Sequence, residues 1–124
     1  MSIWIDAPKN SAETYKVLTE CAAYMYTITY EDLANSVARV RRDKKRPSAV
    51  SLSRPLGFIR DYICRPKGLP WLNALAVNKQ TFLPGDSFIP PGARGRKKSP
   101  EDEFLWWRGM VLQVYAYPWD QLKL

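Results

Sequence analysis

The residues of this chain that could do chemistry are cations. Between Arg39 and Lys67 stand Arg39, Arg41, Arg42, Lys44, Lys45, Arg46, Arg54, Arg60, Arg65 and Lys67, against only Asp43 and Asp61. The whole chain carries a net charge of +7, so everything outside this stretch is nearly neutral. A merely solvated surface mixes its signs. A block of one sign fits a phosphate backbone, which is held by Lys and Arg with release of condensed counterions. Lys79 and then Arg94, Arg96, Lys97 and Lys98 extend the same sign.

Other chemistries lack their parts. The chain has no histidine and two cysteines, Cys21 and Cys64. Ser-His, Cys-His and His-metal arrangements are therefore excluded, and two thiols are too few for a zinc site. Gly92 and Gly95 lack the strand-to-helix context of a phosphate loop. The carboxylates Glu31/Asp32 and Glu101/Asp102/Glu103 stand at helix starts, where capping and dipole compensation account for them. No catalytic residue, cofactor or metal is expected.

These cations must be positioned by a fold. At 124 residues, 46 % hydrophobic and 13 % aromatic, the chain suits one domain, 1–124, with a true core. Asn10 and Glu13 form a capping-box pattern ahead of Thr14, Val17, Leu18, Cys21, Ala22 and Met25, which predicts a helix from Ser11 to Tyr26. Thr29 and Asp32 predict a second helix, Tyr30 to Ala38. The charged run 39–47, ended by Pro47, reads as a solvated loop. Ser51 or Ser53 would cap a third helix with Pro55 in its first turn, buried through Leu56, Phe58, Ile59, Tyr62 and Ile63 and ended by Pro66 and Gly68. Leu72 to Val77 reads as a buried strand, Asn78 to Leu83 as a turn and Pro84-Gly85 as a break, together a wing. Residues 89–98 form a basic Pro/Gly linker. Within 99–124, Ser99-Pro100-Glu101-Asp102 starts a helix carrying Phe104, Leu105, Trp106 and Trp107, and Val111 to Tyr117 alternates like a terminal strand. The predicted class is α+β: a winged helix-turn-helix core over 11–88 with a C-terminal helix–strand extension.

The order of motifs from Ile28 to Phe88 resembles the C-terminal DNA-binding domain of alkylguanine-DNA alkyltransferases and of the alkyltransferase-like proteins. Ile28-Thr29-Tyr30 with Leu33-Ala34 is similar to that family's entry motif. Arg54-Pro55-Leu56-Gly57 is similar to its recognition-helix motif, and Gly85 with Phe88 to its closing turn. The resemblance covers about half of the chain. It implies DNA as partner, with Arg54 in the place of the arginine that enters the base stack; an ordinary phosphate contact is the other role for Arg54. The departures are chemical. Counting back from Gly85, the family's reactive Pro-Cys-His-Arg falls on Asn73-Ala74-Leu75-Ala76. Alanine and leucine replace the alkyl-accepting sulfur and the base that activates it. The segment between Gly57 and the strand is also longer than in the family.

The expected function is non-enzymatic DNA binding through Arg39, Arg41, Arg42, Lys44, Lys45, Arg46, Arg54, Arg60 and Lys79. Two alternatives stay open: a phage- or plasmid-type protein that inhibits a nucleic-acid enzyme or defence system, and a metal-independent toxin ribonuclease. Trp71 either stacks on a base or belongs to the core. Trp106 and Trp107 are adjacent on a helix and cannot both face inward, so one marks a protein-partner surface. Met1 to Asp6 has neither a basic region nor a long apolar run, and no stretch approaches the roughly twenty apolar residues of a membrane span, which predicts a cytoplasmic protein.

Overall fold

A computed structural model describes residues 3–85 and 100–124. It is mostly helical, with one small parallel sheet. The elements in order are α1 (Ser11–Tyr24), β1 (Ile28–Thr29), α2 (Tyr30–Arg41), a composite third helix from Val50 to Lys67, a 3-10 turn (Leu72–Leu75), β2 (Ala76–Val77) and α4 (Pro100–Ala116). A last 3-10 turn, Trp119–Gln121, follows.

Both early helices end on a tight carbonyl-capping motif. In α1, Met25 adopts φ 59° and the N–H of Tyr26 reaches back to Cys21 O at 3.1 Å. In α2, Arg42 adopts φ 56° and the N–H of Asp43 reaches Ala38 O at 3.0 Å. This six-to-one bond needs a left-handed residue, a position that glycine fills without strain. The third helix uses glycine there: Gly68 has φ 65°, and Leu69 N–H donates to Cys64 O at 2.9 Å.

At several points the structure differs from the sequence expectations. Asn10 does not cap α1. It is itself left-handed at φ 74°, and its side-chain oxygen instead accepts from Arg41, so the capping box does not form; at the other end α1 stops at Tyr24, where Met25 turns left-handed. Thr29 does cap α2, accepting from Asp32 N–H at 3.2 Å. However, α2 continues through Arg39, Val40 and Arg41, because Val40 packs against the core and cations suit a helix C-terminus. Neither Ser51 nor Ser53 caps the third helix: it starts at Val50 after Ala49 without a side-chain cap, and the Ser48 hydroxyl accepts from Ser51 N–H at 3.1 Å. That helix then changes pitch: 3-10 over Val50–Leu52, α over Ser53–Phe58, π over Ile59–Cys64 and 3-10 over Arg65–Lys67. Phe58 is half-buried and packs against the core as expected, but Tyr62 does not belong to the buried side: it is exposed.

The stretch Leu72 to Val77 is a strand only in its last two residues. Ala74 N–H turns back to Trp71 O at 3.0 Å, and the short strand that remains pairs in parallel, Ile28 with Ala76 and Thr29 with Val77. The turn after it forms, with Asn78 N–H donating to Leu83 O at 2.9 Å. No antiparallel pair occurs among the described residues. The closing residue Phe88, the linker 89–98 and the cap Ser99 lie outside them. Val111 to Tyr117 is not a strand. α4 runs through to Ala116, because Val111 and Val114 bury at helical spacing, and tertiary packing overrides β propensity. Trp119 then closes the helix end, its indole N–H donating to Val114 O at 2.8 Å.

The core joins Leu18 of α1, Leu33 and Val37 of α2, Leu52, Ile59 and Ile63 of the third helix, Leu72 and Leu75, and Val114 of α4, all without exposed surface. No described helix is long and apolar enough to cross a membrane.

Candidate nucleic-acid interface

The cations gather where three segments meet: the N-terminal residues before α1, the end of α2 with its following loop, and the start of the third helix. Arg41 ties the first two together. Its guanidinium donates to the side-chain oxygen of Asn10 at 2.8 Å and lies 3.5 Å from the Asp43 carboxylate. Between the segments lies a cleft of about 690 Å³. Its charged lining is Lys9, Arg41, Lys45, Arg46 and Arg54 against Asp6 and Asp43.

Of the nine cations expected from the sequence, four line this cleft: Arg41, Lys45, Arg46 and Arg54. Arg42 and Lys44 are exposed in the same loop. Arg39 is exposed on the last turn of α2, bonded to the Ser36 hydroxyl at 3.0 Å. Arg46 reaches back to the Asn35 side chain at 3.2 Å. Among the described residues, Arg39, Arg42, Lys44, Lys45, Arg46 and Arg54 form no salt bridge with an acid.

Two expected cations stand elsewhere. Arg60 is 6 % exposed and grips Asp61 with two hydrogen bonds of 2.8 Å, so it is not on the cleft surface. Those bonds, with help from Arg65 at 3.6 Å, hold the Asp61 carboxyl below the usual carboxylate range. Lys79 lies at the opposite end of α2, since Val77 pairs with Thr29 and Gly85 N–H donates to the Tyr30 hydroxyl at 2.7 Å. The twelve residues of α2 put about 18 Å between that end and Arg41. Lys9 was not foreseen. It joins the site only because the N-terminal segment docks on α2, a contact that no local pattern announces.

The stretch that aligns with a reactive centre is interior. Asn73, Ala74, Leu75 and Ala76 are all buried, and the Ala74 carbonyl accepts from the Trp107 indole N–H at 2.8 Å. Cys64 is wholly buried, and burial pushes its thiol up to about 11. Burial raises Cys21 as well. A thiol held protonated is neither nucleophile nor metal ligand. No group of three or more His, Cys, Asp or Glu placed to hold a metal ion occurs among the described residues.

The tryptophans sort by packing. Trp71 is half-buried, edge-on to Trp106 at 5.8 Å and under the Arg65 guanidinium at 5.9 Å, which commits it to a cluster within the chain. Trp107 turns inward to Ala74, while Phe104, Leu105 and Trp106 remain exposed on α4. Compared with protein-family models, curated proteins and solved structures, the chain shows no match to any of the three.

Proposed function

We propose that this protein binds duplex DNA non-covalently, holding phosphates on the cationic cleft and loop and presenting the third helix to the duplex as the second helix of a helix-turn-helix. The observation that carries the reading is the convergence of Lys9, Arg41, Lys45, Arg46 and Arg54 on one cleft, with Arg42 and Lys44 beside it. Lys45, Arg46 and Arg54 form no salt bridge with an acid among the described residues, which leaves them for an external anion, and neutralising phosphates releases counterions. The resemblance of Arg54-Pro55-Leu56-Gly57 to a DNA-recognition helix supports the same surface. The buried, protonated Cys64 and the apolar residues at 74–75 support binding without alkyl transfer.

The test is a salt titration of binding to a labelled duplex. Log affinity should fall against log salt with a slope of roughly −4, at about 0.9 for each phosphate neutralised. Replacing Lys45 and Arg46 together by Ala should flatten that slope by about 2 and weaken every sequence alike. Lys79→Ala, at the far end of α2, should leave the slope unchanged. A slope near zero in the wild type, or no binding, sinks the proposal.

A further inference from the structure

Beside the cationic cleft the third helix carries a second, chemically different recess. Its spacing is set by the helix: Arg54, Gly57, Phe58, Asp61 and Tyr62 recur at intervals of three and four and so share one face. With Ile3, Asp6 and Pro8 opposite, they line an open recess of about 680 Å³.

The recess has an aromatic wall. Phe58 and Tyr62 are stacked with centroids 5.0 Å apart and planes within 21°. Phe58 is backed by Trp4 at 6.1 Å, and Trp4 by Tyr15 at 5.4 Å. The row thus runs from the interior outward and ends on Tyr62, which is 64 % exposed. So exposed a ring contributes little to the fold. Its orientation is nevertheless fixed by the ring behind it, so little freedom is lost when a flat partner settles on it.

Arg54 belongs to both recesses and forms no salt bridge among the described residues. A chain of phosphates lying on the cationic cleft is thereby led to the aromatic wall. The acids on this side are not equivalent. Asp61 is occupied by Arg60 and Arg65, while Asp6 is exposed and able to accept from a base N–H such as thymine N3–H.

We infer that this recess takes the base of an unpaired nucleotide, stacked on Tyr62 at the open end of the aromatic row with its phosphate on Arg54, so that the protein engages single-stranded nucleic acid as well as duplex. The inference rests on the proposed phosphate-binding cleft and adds a ligand class to it. The base must be unpaired and unstacked because only then is a ring face open; in a duplex, neighbouring bases cover both faces.

The 124-residue protein is tested by fluorescence anisotropy with labelled oligothymidine and with a duplex of equal length at one salt concentration. Tyr62→Ala should weaken single-strand binding roughly tenfold, the scale of one base–aromatic stack. Duplex affinity should change by less than about twofold, and Tyr62→Phe should bind single strands like the wild type. Equal losses on both ligands, or no loss on single strands, would overturn the inference. As a readout that needs no variant, iodouracil in the oligonucleotide should photo-crosslink to the peptide containing Phe58 and Tyr62; crosslinks only elsewhere would also overturn it. Wild-type binding to duplex alone removes this inference and leaves the cleft standing. Binding to neither removes both.

Discussion

The third helix turns two unlike faces to its surroundings. Leu52, Leu56, Ile59, Ile63 and Cys64 face the core and are at most 3 % exposed. Arg54, Phe58, Asp61 and Tyr62 face the two clefts. Both faces carry groups with chemical potential, a thiol on one and a guanidinium with aromatic rings on the other. Burial silences the thiol by disfavouring its anion. The Arg54 guanidinium lies on the open face, where an external phosphate can reach it. The side of the helix on which a residue falls decides whether its chemistry is available. Here the available chemistry is electrostatic and stacking, which suits binding.

The comparison breaks if the inner face proves dispensable. Ile59→Ala should cost about 2–5 kcal/mol of stability, the range for truncating a fully buried aliphatic side chain. Arg54→Ala should stay within about 0.5 kcal/mol while weakening DNA binding. Urea unfolding of both variants measures the contrast. Similar stability losses would mean that the two faces are not distinct.

Alkaline titration sharpens it. Burial pushes the folded Cys64 thiol up to about 11 from its ordinary value of 9.0. Below 9.0 both states hold the proton and this contribution is fully present. As pH rises toward 11 only the unfolded thiol ionises, so stability falls, by on the order of 2–3 kcal/mol at 1.36 kcal/mol per pKa unit. Tyr15, Tyr26 and Tyr115 are raised too and act in the same direction. Cys64→Ala should therefore show a shallower decline than the wild type between those pH values. An identical decline would mean that the thiol is not sealed.

The smallest effect concerns Arg42, where charge and backbone oppose one another. Arg42→Gly should raise stability by about 1 kcal/mol, because glycine takes a left-handed φ of 56° without a Cβ clash. It should weaken DNA binding at the same time through the lost cation. A variant that is both less stable and fully binding would contradict both halves.

Parts of this architecture were legible without coordinates. Thr29 as the cap of α2, Gly68 as the end of the third helix, the turn at 78–83 and the surface position of Arg42, Lys44, Lys45, Arg46 and Arg54 follow from local signals. The same kind of signal misled at Asn10, where a docked Arg41 claims the capping oxygen, and at Val111–Tyr117, where alternation mimicked a strand within a helix. Tyr62 shares the helical spacing of the core residues yet stays open, because that spacing marks an apolar face without saying that anything covers it.

The sequence by itself determined the single-sign block of cations, the lack of histidine, and the helix ends that glycine or threonine fixes within one turn. Those are properties of composition or of bonds between near neighbours. Only the tertiary structure decided that Arg60 is buried against Asp61, that Lys9 joins Arg54, that β1 and β2 run parallel, and that Cys64 is sealed while Tyr62 is open. Each of those depends on which surfaces remove one another from water, and that is set by contacts between segments far apart in the chain.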